Sequence, residues 1–375
     1  MQFWRLKMPA TSSVRVVVRT RPTSSFAADC LKVHDDKCCV TATLPKGGEH
    51  GKSENAQDSW TWRYDSVLHN ASQDTAYADV SPVVKSVLQG YNGTIMCYGQ
   101  TGAGKTFTQI GDTSSYAHRG IVPRSVAEIF QYISDHPQFD ATVGVSYLEI
   151  YNDSLVDLLS SLPSEEPQGG ALHLIEDVSG ATHVKGLRVE KVTNEEEALN
   201  MLFEGETNRA VANHQLNRNS TRGHAVFTVY VQIRSRVESS EKVVRCKLNL
   251  VDLAGSERLK KTSTEGDMKA ESMYINRSLS YLEQVVIALS AKGRSHTPYR
   301  QSKLTHLLKD SLGGNCKTLL MANIYGEAQH IEETISTLQV PHSPSCSAAS
   351  PSLAPSVAAR SPLPVSRSLR RACAR

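Results

Sequence analysis

The chain has 375 residues, a formal net charge of +3 at pH 7 and 39% hydrophobic residues, a composition typical of globular proteins. Its length fits one large domain or two ordinary ones. Residues 340–375 contain five arginines and no acidic residue, and without them 36 basic residues face 38 acidic ones. The rest of the chain is therefore close to neutral, which does not support a generally basic, nucleic-acid-binding surface.

Neither a membrane span nor an export signal is predicted. The chain has no apolar run of about 18 residues or more, and residues 1–7 lack the apolar core of a signal peptide. The eight cysteines are scattered and form no C-x-x-C pair. We therefore expect reduced thiols in the cytoplasm rather than disulfides or zinc ligands.

Predicted strands and helices alternate along the chain after a flexible leader at 1–13, which contains a second candidate start at Met8. The chain from 14 to 339 shows no linker and no internal repeat, so we expect one domain there. In chain order, the predicted elements are a strand at 14–19, a loop at 45–58, a strand at 60–64, a helix at 72–88, a strand at 94–98, a helix at 122–133, a strand at 141–150, a helix at 154–159, a loop at 163–170, a helix at 194–208, strands at 225–235 and 243–251, and helices at 278–291 and 302–312. This alternation is typical of layered α/β domains.

A glycine-rich stretch follows the predicted strand at 94–98 and fits the nucleotide-binding pattern G-x-x-x-x-G-K-[ST]. Its residues are Gly99, Gln100, Thr101, Gly102, Ala103, Gly104, Lys105 and Thr106. Glycines let backbone N–H groups turn toward phosphate oxygens, the lysine can reach the β- and γ-phosphates, and the threonine hydroxyl can bind Mg²⁺. On its own, the pattern also fits a glycine-rich turn with an accidental lysine.

Two further stretches would complete such a site. Residues 217–224 bring hydroxyl groups, an arginine and a histidine together just before a predicted strand, although an ordinary solvated turn would look similar. Residues 248–257 form an apolar strand that ends at Asp252 and is followed by Gly255 and Glu257. In this arrangement an acid holds Mg²⁺ and a glycine N–H contacts the γ-phosphate. The three stretches occur together and in order, which argues against coincidence.

These three stretches resemble the P-loop, switch I and switch II of kinesin motor domains. The resemblance extends to four further segments, at 19–22, 274–279, 298–305 and 310–315. It covers about residues 14–339. Within the kinesins, the most similar group is the ninth family, associated with cilia and flagella, and this likeness rests on the segments 90–98, 202–209 and 323–327.

The resemblance implies a P-loop NTPase fold of the kinesin type, with a central mixed, mostly parallel sheet flanked by helices on both faces. It also implies a microtubule motor that hydrolyses ATP with Mg²⁺ and is stimulated by microtubules. Loss of the γ-phosphate would change the switch loops and the affinity for microtubules. The expected location is the cytoplasm and cytoskeleton, including cilia or flagella.

The resemblance assigns roles to individual residues. The implied catalytic residues are Lys105, Ser220, Arg222, Gly255, Glu257 and Asn276, with an ion pair between Arg222 and Glu257. The nucleotide would be held by residues 99–106 together with Arg19, Arg21, Pro22 and Phe107, the last stacking on adenine. Mg²⁺ would be bound by Thr106, Thr221 and Asp252. The candidate contacts with the acidic microtubule are Lys260, Lys261, Lys292, Arg294, Arg300, Lys303 and Lys309.

The sequence departs from the family pattern in three places. Gly223 replaces a serine of switch I, and His306 stands where an arginine is common. After Gln339, where a neck linker should follow, comes a Ser/Pro/Ala/Arg-rich tail at 340–375 that we expect to be disordered. We interpret the tail as a truncated, alternatively spliced or mis-predicted terminus; a basic tether to microtubules or membranes is the alternative. No heptad repeat remains for a dimerisation coiled coil.

Three functions remain open at this point. The first is an ATP-driven microtubule motor. The second is a non-motile microtubule-binding ATPase, because the expected neck linker is missing. The third is a P-loop switch or GTPase, which the missing guanine-reading N-K-x-D motif and the kinesin-like segments disfavour.

Overall fold

The computed structural model describes most of the chain between residues 14 and 339. The described residues are 14–34, 36, 38–44, 59–112, 114–160, 172–178, 180–215, 222–236, 243–257, 267–290, 296–313 and 316–339. The predictions for the leader at 1–13, the loops at 45–58 and 163–170, and the tail at 340–375 lie outside the described residues.

The strands are β1 (Arg15–Thr20), β2 (Leu31–His34), β3 (Cys39–Thr43), β4 (Ser59–Arg63), β5 (Ser66–Leu68), β6 (Asn92–Tyr98), β7 (Phe139–Tyr151), β8 (Ser154–Asp157), β9 (His173–Glu176), β10 (Thr182–Lys185), β11 (Glu190–Val192), β12 (His224–Ser235), β13 (Val243–Asp252) and β14 (Cys316–Ile324). The helices are α1 (Gln73–Leu88), α2 (Lys105–Gln109), α3 (Ile121–Asp135), α4 (Glu195–Gln215), α5 (Asp267–Ser290), α6 (Lys303–Leu307), α7 (Lys309–Gly313) and α8 (Ile331–Gln339).

The largest sheet of the described residues is mixed, as predicted, and has the strand order β11-β7-β12-β13-β6-β14-β1-β5, with β8 paired to β7. The strands from β13 to β5 are parallel, and those from β11 to β13 are antiparallel. Strand β6 lies between β13 and β14, with Cys97 opposite Asp252. Because parallel strands end at the same edge, the loops after β6 and β13 meet there.

Helices cover both faces of this sheet, and the side chains of β6 point alternately to one face and the other. Ile95 and Cys97 join an apolar core with α1, α3 and α4, while Met96 and Tyr98 join a second core with α5, α6 and α7. Each of these four side chains is at most 7% exposed. No helix among the described residues is long and apolar enough to cross a membrane.

The predicted helix at 72–88 is confirmed as α1. The Ser72 hydroxyl accepts a hydrogen bond from the Thr75 N–H at 3.1 Å and caps its start, and valines recur on its buried face. A smaller sheet of β2, β3 and β4 packs with α8 in a third apolar core. The Tyr64 hydroxyl donates a hydrogen bond to the Leu338 carbonyl at 2.6 Å and fixes the end of α8.

The predicted helix at 154–159 is wrong, because residues 154–157 form strand β8. Asn152 and Asp153 both have positive φ angles, 43° and 58°, which suit the tight turn between two antiparallel strands. Tyr151 therefore pairs with Ser154, and the chain returns along β7. The apolar spacing of this segment fits a helix, but the turn before it determines the outcome.

Three further predicted helices differ from the structure in extent. The one predicted at 194–208 continues to Gln215 as α4. The one predicted at 302–312 is divided into α6 and α7, since Leu308 has a ψ of 8° and ends the first. The one predicted at 278–291 begins 11 residues earlier, at Asp267. The polar first turns of α5 carry no continuous apolar pattern, so the sequence predicts only its buried end.

Candidate nucleotide site

The glycine-rich stretch forms a curled loop between β6 and α2, in the predicted order of strand, loop and helix. Gly99 has a φ of 144°, and a Cβ there would lie 2.1 Å from the Asn323 carbonyl oxygen. Gly102 has a φ of 79°, and a Cβ there would lie 2.2 Å from the Tyr325 hydroxyl. Only glycine fits these two positions, and their backbone gives the loop its curvature.

Lys105 and Thr106 begin α2 at the end of this loop. The buried Lys105 ammonium donates a hydrogen bond to the Gln100 carbonyl at 3.0 Å. Burial lowers the pKa of Lys105, and the nearby carboxylates of Asp252 and Glu257 partly offset that effect. A buried cation at the end of a curled, glycine-rich loop is suited to a phosphate group.

Thr106 and Asp252 meet at the sheet edge. The Thr106 hydroxyl donates a hydrogen bond to Oδ2 of Asp252 at 2.7 Å. The second carboxylate oxygen, Oδ1, is buried without a hydrogen-bond partner among the described residues. A buried carboxylate oxygen without a partner, beside a hydroxyl oxygen, fits a bound cation.

These two side chains fit Mg²⁺ in particular. Mg²⁺ usually takes one or two protein oxygens and completes its coordination with water and substrate phosphates. In the part of the chain that the structure describes, no group of three or more His, Cys, Asp or Glu residues is placed to hold a metal ion. The fold thus brings together Thr106 and Asp252, two of the three predicted Mg²⁺ ligands, and their binding of Mg²⁺ stays a prediction.

The loop after β13 lies against the P-loop. The Ser256 N–H donates to the Gly99 carbonyl at 3.1 Å. The Glu257 carboxylate accepts hydrogen bonds from the Thr101 N–H at 2.7 Å and from its hydroxyl at 2.6 Å. A Cβ at Gly255 would lie 2.2 Å from the Thr101 hydroxyl, so a larger residue would separate the two loops. Glu257 thus contacts the P-loop directly.

The predicted ion pair between Arg222 and Glu257 stays a prediction. Arg222 is half-buried just before β12, and the contacts described for Glu257 are with Thr101. Ser220 and Thr221, the predicted switch I hydroxyls, lie outside the described residues. Asn276 is half-buried within α5.

His224 joins three parts of the site. It is fully buried at the start of β12; its Nδ1 accepts a hydrogen bond from the Ala254 N–H at 3.1 Å. Nε2 is then the protonated nitrogen and donates to the Ser278 hydroxyl of α5 at 2.8 Å. Burial and the nearby cations of Arg209 and Lys105 lower the pKa of His224 to about 3, which keeps the ring neutral.

Arg209, on α4, lies in a buried polar network that contacts Asp252. Its guanidinium lies 3.3 Å from Oε1 of Glu149 and 3.8 Å from Oδ2 of Asp252. It also donates to the Gly223 carbonyl at 3.2 Å. Burial lowers the pKa of Arg209, but the surrounding anionic groups outweigh it and the net shift is upward. A permanent cation therefore balances the buried carboxylates.

The residues predicted to face adenine are divided between surface and interior. Phe107 is 45% exposed, as a ring that stacks on a base must be. Arg19 is buried, donates hydrogen bonds to Gln73 at 2.9 Å and Thr108 at 3.0 Å, and lies 5.9 Å beneath the Phe107 ring. Arg19 thus positions α2, and its contact with adenine stays a prediction. Arg21 and Pro22 are exposed, and Arg21 donates a hydrogen bond to the Gly102 carbonyl of the P-loop.

Of the three predicted microtubule contacts that the structure describes, two bind the same carboxylate. Glu176 of β9 accepts hydrogen bonds from Arg300 at 3.0 Å and from Lys309 at 3.0 Å, and His306 lies 2.8 Å away. The hydrogen bonds from Arg300, Lys309 and His306 lower the pKa of Glu176 to about 2. Lys303 donates to the Asp153 carbonyl. The other four candidates, Lys260, Lys261, Lys292 and Arg294, lie outside the described residues.

Three residues of the site were not predicted from the sequence. The charges of Glu149 and Arg209 look like those of ordinary surface residues, although Arg209 ends the segment 202–209 that the sequence relates to the ninth kinesin family. Only the fold connects Glu149, through Arg209, to Asp252. Tyr325, next to Gly102, lies in a turn after β14. The available signal for Tyr325 was the segment 323–327, which the sequence relates to the ninth kinesin family.

Known proteins are similar to this chain in sequence. A sequence model of the kinesin motor domain matches residues 19–343. Kinesin-like protein KIF9 from Mus musculus is 51% identical over 333 residues, which cover 88% of this chain and 42% of that protein. Kinesin-like protein KLP1 from Chlamydomonas reinhardtii is 48% identical over 328 residues, which cover 87% of this chain and 42% of that protein.

A solved structure has the same fold. It is titled "Structure of a fast kinesin: Implications for ATPase mechanism and interactions with microtubules". It is 34% identical with a TM-score of 0.76 and covers 88% of this chain and 91% of that chain. The chain spans less than half the length of the two relatives above, which fit the ninth kinesin family. Because the family match covers most of its length, the chain belongs to the kinesin motor-domain family.

Proposed function

We propose that this chain hydrolyses ATP with Mg²⁺ and uses the reaction to drive movement along microtubules. The observation that carries the proposal is the contact of Thr106 with Asp252, whose second oxygen is buried and unpaired beside a P-loop lysine. The family membership supports the choice of ATP and of the microtubule. The proposal extends the location to the cytoskeleton of cilia or flagella.

Each residue of the site has a defined task in this proposal. Lys105 and the amides of the P-loop bind and orient the phosphates in line with the attacking water. Thr106, Asp252 and Thr221 would hold Mg²⁺, which neutralises charge on the β- and γ-phosphates. Ser220 would contribute its switch I hydroxyl to the same site. Gly255 would donate its N–H to the γ-phosphate.

The closing of the site would exchange partners of Glu257. In the structure its carboxylate bonds to Thr101 of the P-loop. A nucleotide in the loop would favour the pairing with Arg222 that the family resemblance implies, and Asn276 would help to place the water. After the γ-phosphate leaves, the loops relax and α5 shifts through its contact with His224.

The partner would be recognised through charge. Microtubules are acidic, and Arg300, Lys303 and Lys309 lie on or next to α6 and α7. Lys260, Lys261, Lys292 and Arg294 would extend this basic surface. Such a surface accelerates association and loses strength as salt concentration rises.

A gliding assay with surface-bound protein tests the motor function. The proposal predicts that microtubules move when ATP is present and stop when it is removed. Microtubule-stimulated phosphate release without gliding would contradict movement and support the non-motile ATPase instead. Hydrolysis of GTP but not ATP would contradict the choice of nucleotide.

A further inference from the structure

We propose that Tyr325 is a positioning residue of the nucleotide site, which holds Arg21 against the P-loop and thereby slows the release of bound nucleotide. This inference rests on the proposed function, because it concerns the same site. It assigns a role to the turn between β14 and α8, which the family roles given above do not include.

Arg21 contacts the P-loop directly. Nη1 of Arg21 donates a hydrogen bond to the Gly102 carbonyl at 2.6 Å. The same nitrogen donates to the Tyr325 hydroxyl at 2.8 Å, and the guanidinium lies 5.2 Å from the centre of the Tyr325 ring. Tyr325 thus attracts Arg21 through both its hydroxyl and its ring.

Tyr325 also packs directly on the P-loop. A Cβ on Gly102 would lie 2.2 Å from the Tyr325 hydroxyl and 3.3 Å from its Cζ. The tip of the ring therefore fills the space that a side chain on Gly102 would need. Movement of the loop toward this turn is blocked, and movement away from it breaks the hydrogen bond from Arg21.

Tyr325 is itself held in place by its neighbours. Its ring stacks on His330 with centroids 4.3 Å apart, and its carbonyl accepts a hydrogen bond from the Thr334 hydroxyl of α8 at 3.1 Å. The next residue, Gly326, accepts a hydrogen bond from the Ala27 N–H at 2.7 Å. Tyr325 is thus fixed on both sides and can serve as an anchor.

These contacts lead to a kinetic role. Arg21 is exposed, and without an anchor a long charged side chain would sample many rotamers in water. Tyr325 confines its charge beside the loop that surrounds the phosphates. Loss of the hydroxyl should release Arg21, allow the loop to open more often and shorten the residence time of the nucleotide.

The test is the release rate of a fluorescent ADP from the purified chain on mixing with excess ATP. Tyr325→Phe keeps the ring and removes the hydroxyl, and it should accelerate release about 3- to 10-fold, the range of one hydrogen bond. Arg21→Gln should accelerate release to a similar extent. The double variant should release ADP little faster than either single variant, because Tyr325→Phe already frees Arg21 from the Gly102 carbonyl, the contact that Arg21→Gln removes. Tyr116→Phe, a 73% exposed tyrosine beside Arg119, is the matched control and should release ADP at the wild-type rate.

Several results would overturn the inference. Release from Tyr325→Phe at the wild-type rate would show that the hydroxyl does not hold the site. Fully additive effects of the two changes would show that Tyr325 and Arg21 act separately, since a merely structural loss at each residue gives additivity. A wild-type chain that binds no ADP would contradict the proposed function itself, and this result is distinct from both.

Discussion

Thr106 donates a hydrogen bond to Asp252 at 2.7 Å and so joins the first turn of α2 to the end of β13. The two residues are 146 positions apart in the chain. They meet because β6 and β13 are parallel neighbours that end at one edge of the sheet. The carboxylate oxygen that Thr106 leaves unpaired is where we expect Mg²⁺ to act.

The first prediction concerns this carboxylate. Asp252→Asn keeps an oxygen that can accept from Thr106 but removes the negative charge that would hold Mg²⁺. We expect ATP turnover to fall about 100-fold, the size of losing one electrostatic contact in an active site. Asp310→Asn is the control, because Asp310 is a partly buried acid paired with Lys247. Turnover of Asp252→Asn within twofold of wild type, at the same Mg²⁺ dependence, would contradict the assignment.

The second prediction follows from the low pKa of His224. The folded-state pKa is about 3 against an ordinary value of 6.5, so the unfolded chain binds the additional proton between these two values. The free energy of unfolding is therefore undiminished above pH 6.5 and falls as the pH decreases from 6.5 toward 3. The slope from this one group approaches about 1.4 kcal/mol per pH unit.

Urea unfolding between pH 4.5 and pH 7.5 measures that slope. His224→Gln, which can still donate to Ser278, should lose about one proton of the pH dependence. His183→Gln changes a half-exposed histidine on β10 and should leave most of the pH dependence of the unfolding free energy intact. An unchanged slope in His224→Gln would show that the histidine does not remain neutral in the folded chain.

The third prediction concerns the buried network of Arg209. Arg209→Met fills a similar volume but removes the buried cation that lies beside the carboxylates of Glu149 and Asp252. We expect the free energy of unfolding to fall by about 3 to 5 kcal/mol. Arg236→Met breaks an exposed ion pair with Asp140 and should cost less than about 1 kcal/mol. Equal losses in the two variants would contradict the role given to burial.

The fourth prediction concerns the cations that bind Glu176. Because Glu176 already neutralises part of the charge of Arg300 and Lys309, it competes with an acidic partner for them. Glu176→Gln should therefore strengthen microtubule binding about two- to fivefold, the scale of an exposed ion pair. Cosedimentation over a series of salt concentrations measures this affinity.

Asp177→Asn is the matched control for that experiment. Asp177 is the next residue, pairs with His183 and accepts a hydrogen bond from the Ala181 N–H at 2.9 Å, which asparagine can also accept. The control removes the same charge without freeing Arg300 or Lys309. Weaker or unchanged binding by Glu176→Gln would show that the carboxylate arranges the cations instead of competing for them.

The sequence predicted those parts of the molecule that depend on local pattern. The loop at 99–106 was found because glycines and a lysine at fixed spacing have few alternatives, and the end of β13 was found because an apolar strand leads to Asp252. Contacts across the sheet left no such pattern. Arg209 looks like any helix charge, and its contact with Glu149, 60 residues away, depends on how α4 packs.

Secondary structure shows the same limit. Long elements such as α1 and β7 were predicted nearly to their ends because a full apolar period is visible in each. Short strands such as β9 and β10 were missed, since four residues carry too little periodicity. Strand β8 was mistaken for a helix because positive φ angles at Asn152 and Asp153 redirect the chain there.

The most direct test of the account is phosphate release from ATP, with and without microtubules, by the wild-type chain and two lysine variants. Lys105→Ala removes the buried P-loop cation, and Lys85→Ala removes an exposed lysine of α1 that lies 3.9 Å from Glu128. We predict that microtubules accelerate phosphate release by the wild-type chain and by Lys85→Ala. We predict that Lys105→Ala lowers the rate of phosphate release about 100-fold or more. Turnover by Lys105→Ala at the wild-type rate would contradict the account.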